Sequence, residues 1–295
     1  MKESRLMTAF GLIVQSDLEL PELPTATEKD VDVVIRYQSV PEHLADFTEK
    51  TLWYEVAGSK FLLRVDGVAK YYVEDGTTIS IEPEQGVSED LIRLFLYNPI
   101  FGRLLQQRNY LVLHGAVAVI NGRAIALLGA STEGKSSVAL KLYTRGHEVL
   151  ADEICAISYR EGKAYVFPEI ARLTVWRDTL DAVGMDPDKY KPLRQDLEKY
   201  SIPVDDRFYG KEVELSGIVL LTRHNQNDIK FELIQGGNKL KKLVTFSEAP
   251  NMGQNNVKIF QTLAETGKAR MIELSFNHKL HFLDEIADLI EKEWK

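Results

Sequence analysis

Cysteine is nearly absent. Cys155 is the single one in 295 residues, which excludes a disulfide framework. It lies inside an apolar run, so a buried structural thiol in a reducing compartment is expected. No stretch of about 18 apolar residues occurs, the length a membrane-crossing helix needs. The opening MKESRLMTAF lacks the apolar segment of a secretory signal, and a cytoplasmic chain is expected. Positive charge is also in short supply: 36 Lys and Arg against 44 Asp and Glu leave a net charge of −8. That balance disfavours polyanionic partners, so neither nucleic acid nor a membrane surface is expected. The one basic run, Lys239, Lys241 and Lys242, reads as a solvated face. Internal repeats, low-complexity segments and long linkers are missing. What remains is 44% hydrophobic and 27% charged residues, the make-up of a folded domain with a core.

The first part of the chain reads as β-rich. Leu62–Val65, Lys70–Val73 and Thr78–Glu82 are short strand-like runs separated by Asp66-Gly67 and Asp75-Gly76, and Asp-Gly is a strong hairpin signal. A domain over 1–87 without chemistry of its own is expected, followed by a larger one over 88–295. Ser88 can cap a helix in which Leu91, Ile92, Phe95 and Leu96 have helical spacing, Pro99 interrupts it, and a second helix follows through Leu105. Next, Tyr110–Ile120 and Arg123–Leu128 are apolar strands joined at Asn121-Gly122. A glycine-containing loop, a helix to Thr144 ended by Gly146, and one strand over Glu148–Ile157 follow. Leu215–Leu221 is a further strand and Phe282–Trp294 an amphipathic helix.

Gly129-Ala130-Ser131-Thr132-Glu133-Gly134-Lys135-Ser136 fits G-x-x-x-x-G-K-[ST] at every fixed position. The residue types suit a nucleoside triphosphate, which makes ATP the expected cofactor. Glycines let backbone amides turn toward phosphate oxygens, and a helix starting near Gly134 adds its positive end. Lys135 supplies a point charge, and the Ser136 hydroxyl, with Ser137 beside it, suits Mg2+ and phosphate. Asp152-Glu153 follows the apolar run Val149-Leu150-Ala151. A carboxylate at a strand end beside a phosphate loop suits a metal ion or a proton acceptor. Adjacent acids on a strand point to opposite faces, so one can hold metal while the other acts as general base. His114 lies on the strand paired through the hairpin with the one that delivers the loop.

Taken together these residues resemble the HPr serine kinase family. His114-Gly115-Ala116-Val117, the phosphate loop, and Arg145-Gly146-His147 with Ala151-Asp152-Glu153 share its motifs and spacing. The similarity is greatest over about 111–157 and looser on to Arg223. Ala9-Phe10-Gly11-Leu12 and the 18–23 stretch look like the HPr-kinase-like proteins of peptide-modifying gene clusters, lasso-peptide precursor kinases among them. The resemblance implies an α/β phosphate-loop kinase core related to phosphoenolpyruvate carboxykinase. It further implies magnesium-dependent transfer to a serine of a peptide or protein, and often a homo-oligomer. By position, Asp152 matches the metal-associated acid and Glu153 the base. Glu169 matches a second metal-linked acid, and Arg207 a basic residue of the phosphate site. Two departures stand out: Glu153 replaces an aspartate, and Thr132 replaces a glycine, where a positive φ would strain threonine. A segment associated with phosphorolysis is missing, so kinase activity is favoured over its reverse. The rival readings are a nucleotide-binding regulator without transfer activity and a small-metabolite kinase.

Overall fold

The computed structural model describes residues 5–194, 197–247, 257–277 and 280–295. It is a mixed α/β structure with three sheets, and its contacts divide it into Met1–Tyr110 and Leu111–Lys295.

In the first unit the strands are β1 (Leu6–Ala9), β2 (Leu12–Ser16), β3 (Val33–Tyr37), β4 (Glu49–Lys50), β5 (Tyr54–Ala57), β6 (Lys60–Val65), β7 (Ala69–Glu74) and β8 (Thr78–Pro83). They form one sheet in the order β1-β2-β3-β8-β7-β6-β5-β4. The β7–β8 turn closes because Asp75 and Gly76 both take the left-handed backbone of a primed turn, with φ of 54° and 65°. Ser88 Oγ accepts the Leu91 amide at 3.4 Å and caps α1 (Glu89–Phe95). Pro99 does not stop the helical path: a wide π-type turn over Leu96–Ile100 absorbs it and leads into α2 (Phe101–Gln107). These helices belong to the first unit rather than opening the second. Leu96, Ile100, Phe101, Leu104 and Leu105 are fully buried, the Phe10 and Phe101 rings lie 5.6 Å apart, and Tyr71 Oη donates to Ile92 O at 3.0 Å.

The second unit opens with β9 (Leu111–Ile120), β10 (Arg123–Leu128) and α3 (Lys135–Thr144). Then come β11 (Glu148–Ala151), β12 (Ile154–Arg160), β13 (Lys163–Val166), β14 (Arg172–Trp176), α4 (Arg177–Ala182), β15 (Lys191–Pro192) and β16 (Lys199–Pro203). It ends with β17 (Val213–Arg223), β18 (Lys230–Ile234), α5 (Gly237–Phe246), α6 (Val257–Thr266), β19 (Arg270–Phe276) and α7 (Leu283–Glu293). The main sheet runs β11-β9-β10-β17-β19-β18, with β10, β17 and β19 parallel. The first four residues of β9 pair with β12 and the first two of β17 with β13, and β14, β16 and β15 make a small separate sheet.

Alternation along β10 builds both faces of the main sheet. Ile125 and Leu127 pack with α3 and α7, while Ala124, Ala126 and Leu128 pack with Leu243 of α5 and Leu263 of α6. Because β10, β17 and β19 run the same way, their carboxyl ends share one edge, where ligands of parallel α/β sheets bind. Cys155 is fully buried, and burial pushes its thiol pKa up. Among the described residues no helix is long and apolar enough to cross a membrane.

The strand expected over Glu148–Ile157 is two strands. The ladder breaks at Asp152-Glu153 because the Glu169 carboxylate takes the backbone amides there. Glu169 Oε2 accepts from Asp152 N at 2.8 Å, Glu153 N at 3.0 Å and Ile154 N at 3.3 Å.

Candidate functional site

The loop 129–134 connects the end of β10 to α3. Gly129 packs against β17 so closely that a Cβ there would lie 2.6 Å from Leu221 O. Gly134, with φ of 94°, turns the chain into the helix. Thr132 also takes a left-handed backbone, with φ of 69°, so the conformation expected of a glycine is imposed on a β-branched residue. The amides of Lys135, Ser136 and Ser137 precede the first in-helix bond, Val138 N to Gly134 O at 2.9 Å, and are the donors that a helix start offers an anion. Lys135 is buried, and its Nζ donates to Gly129 O at 3.0 Å and Ala130 O at 2.9 Å. Burial lowers the Lys135 pKa, opposed by Glu153 and Asp152. Ser137 Oγ and Thr179 Oγ1, 2.9 Å apart, tie α3 to α4.

Glu169 sets the acidic turn. With its three amides gathered, Asp152 and Glu153 both engage Thr174 instead of pointing to opposite faces. Asp152 Oδ2 accepts from Thr174 N at 2.6 Å and Oγ1 at 2.8 Å, and Glu153 Oε1 accepts from Thr174 Oγ1 at 3.0 Å. Asp152 Oδ1 is buried and has no hydrogen-bond partner. Burial, then the Glu153 charge, raises the Asp152 pKa, while Ser136 and Thr174 act to lower it. Burial would raise Glu153 too, but Lys199, His114 and Thr174 outweigh it and hold that carboxyl below the ordinary range. Lys199 Nζ lies 3.0 Å from Glu153 Oε1, and His114 Nδ1 stands 3.7 Å from Glu153 Oε2. Burial first, then Lys135, keeps the His114 pKa low. Burial drives Glu169 up to about 7, the two amides of Asp152 and Glu153 opposing it.

A cleft of about 380 Å³ lies over these groups, lined by Lys135, Ser136, Glu153, His114, Lys199 and Arg223. Ser131, Thr132 and Gly134 of the loop and Ser137 border it as well, as do Trp176 and Asp178. Glu169 and Asp152 lie behind this surface, buried at 6% and 3% exposure. Arg207 does not join the site. It sits at the opposite, C-terminal end of α3, where Nη1 donates to Tyr143 O at 2.9 Å and the guanidinium lies 4.4 Å over the Tyr143 ring. Lys199 and Arg223 are the further cations that line the cleft. Arg223 had a signal, being a basic residue just beyond the apolar run of a parallel strand. Lys199, on a short polar strand, had none.

The residues present fit a magnesium–nucleotide pair. The buried, unpartnered Asp152 Oδ1 and the Ser136 hydroxyl acting on the same carboxyl are hard oxygen donors. Among the described residues no group of three or more His, Cys, Asp and Glu is placed to hold a metal by itself. An ion here would take further oxygens from phosphate or water, as Mg2+ does.

No protein-family model matches the sequence, and no curated protein matches it. Among solved structures, the Hpr(Ser) kinase/phosphatase from Coxiella burnetii is similar at a TM-score of 0.34 and 12% identity, over 62% of this chain and 95% of that one. The likeness is slight, and the functional reading rests on the residues of the cleft.

Proposed function

We propose that this chain is a kinase that transfers the terminal phosphoryl group of ATP, with Mg2+, to a serine hydroxyl of a peptide or protein. The observation that carries the reading is Asp152 Oδ1, a buried carboxylate oxygen without a donor, beside the hydroxyl and ammonium that open α3. Such an atom is costly unless a cation or donor arrives. Mg2+ bound there neutralises charge on the phosphate oxygens.

The chain's own groups have separable roles. The amides at the start of α3 hold phosphate, and Lys135 exchanges the Gly129 and Ala130 carbonyls for phosphate oxygens. Glu153, ionised at neutral pH and steadied by Lys199 and Thr174, accepts the proton of the acceptor hydroxyl. His114 faces the other oxygen of that carboxylate. The serine acceptor is assigned from the likeness of the motifs over 111–157 to serine kinases, and the opening residues favour a lasso-peptide precursor. Trp176, 44% exposed on the cleft wall, offers such a chain an aromatic surface.

The test uses ATP labelled in its terminal phosphoryl group, a serine-ended peptide, and free serine with small alcohols. Label enters the peptide alone. Label only in a small molecule redirects the reading to a metabolite kinase. Calorimetry with Lys135→Ala shows nucleotide affinity lowered at least about tenfold, since a charge-assisted contact is worth about 1.5–3 kcal/mol. Unchanged affinity in the folded variant removes the reading altogether.

A further inference from the structure

Thr132 presents a problem that its surroundings must solve. Its φ of 69° is a backbone state that β-branched residues avoid, and such a state persists only where neighbouring structure over-determines it. Within the loop Glu133 N donates to Ala130 O at 3.2 Å and Lys135 Nζ to Gly129 O and Ala130 O, and none of these bonds engages the Thr132 carbonyl. It is held from β17. Arg223 Nη2 donates to Thr132 O. Arg223 Nε also stands 3.6 Å from Glu133 Oε2, beyond hydrogen-bond length, so that pair acts through charge.

The register explains why this arginine can reach. Leu128 pairs with Leu220 in the parallel β10–β17 ladder, so the loop leaves β10 alongside Leu221, where Gly129 packs. Arg223, two residues further on and facing the cleft, is then level with the turn at Thr132. One strand thus braces the loop at its first residue by backbone contact and at its tightest point by a guanidinium.

We infer that Arg223 is a positioning residue for the nucleotide, a clamp that keeps the loop in its phosphate-receiving conformation although Thr132 stands where glycine would adopt that conformation freely. The inference rests on the nucleotide-binding reading above. It also accounts for one departure from the family pattern, the threonine that stands in the loop in place of glycine.

The experiment is a double-mutant cycle on the full chain. It combines Arg223→Ala, Thr132→Gly and both changes, read by ATP–Mg2+ calorimetry and by thermal unfolding without nucleotide. In the wild-type background Arg223→Ala weakens ATP binding about tenfold; in the Thr132→Gly background the same change costs less than about threefold, because glycine removes the need for the clamp. The melting temperatures follow the same pattern: Arg223→Ala lowers the melting temperature more when threonine is present. Arg223→Lys, which keeps the charge but not the planar fork, restores only part of the affinity. Equal costs in both backgrounds mean that Arg223 touches the nucleotide directly and overturn the clamp. No cost in either background overturns it too. If the wild-type chain binds no ATP, the functional reading fails, and the melting-temperature coupling alone still decides whether the clamp exists.

Discussion

Asp152 and Glu153 are sequence neighbours in opposite electrostatic settings. Burial, then the Glu153 charge, pushes Asp152 up; for Glu153, burial is outweighed by Lys199, His114 and Thr174, which hold it down. Pairs of titratable groups driven apart in this way separate into distinct roles. Asp152→Asn removes negative charge at the unpartnered Oδ1 and is expected to abolish the Mg2+ dependence of nucleotide binding in calorimetry. Glu153→Gln keeps binding and lowers transfer about 10²- to 10⁴-fold, the range of a general base. Transfer by Glu153→Gln at the wild-type rate would move the base role to His114.

Elements position the site through close packing as well as through hydrogen bonds. β17 is the strand on which the loop rests, and the face that carries Val219 and Leu221 also packs with α7. A Cβ on Gly217 of β17 would meet the Trp294 ring at 2.3 Å. Trp294 is buried at 4% exposure and its carbonyl accepts from Asn121 Nδ2 at 3.2 Å, so the ring has little room to withdraw. Gly217→Ala is expected to destabilise the second unit by about 1–3 kcal/mol, the usual cost of overpacking. At roughly 2–4 °C per kcal/mol for a unit of this size, calorimetry resolves the shift. An unchanged melting temperature would mean that Trp294 moves aside and that the strand–helix contact is soft.

Across the whole molecule, each unit has its own buried residues. In the first unit the fully buried Glu55 accepts from Leu44 N at 2.7 Å and Arg64 Nη2 at 2.9 Å, with His43 Nδ1 at 2.9 Å and Lys50 Nζ at 3.1 Å. Burial alone would raise its pKa; the Leu44 amide and these three side chains outweigh it and hold the carboxyl well below its ordinary value of 4.5. A depressed acid contributes its full stability above the unfolded-state value and loses it as the pH falls below. Region-resolved hydrogen exchange is therefore expected to show protection in β4–β6 fading below about pH 4.5. Glu55→Gln costs the unit about 2–3 kcal/mol at neutral pH, because it leaves the partners of a buried charge uncompensated, and it flattens that acid dependence. An acid profile identical in wild type and variant would rule this out.

What the sequence determined is local. The Asn121-Gly122 turn, the loop-to-helix step at Gly134, the end of α3 at Gly146 and the two apolar strands before the loop follow from backbone conformations that only certain residues adopt within a few positions of each other. The candidates Lys135, Ser136, Asp152, Glu153 and His114 were legible for the same reason: their motifs are short. Tertiary structure decided the rest. Glu169, 17 residues from Asp152, breaks the strand between the acids. Thr174 reaches Asp152 across 22 residues, and Lys199 reaches Glu153 across 46. Arg223 meets the loop across 91, while Arg207, the arginine that motif matching favoured, packs on Tyr143 at the far end of α3. Spacing along a chain constrains dihedral angles and the faces of single elements, but contacts between distant residues depend on strand register and packing, which form only when the whole unit closes around its core.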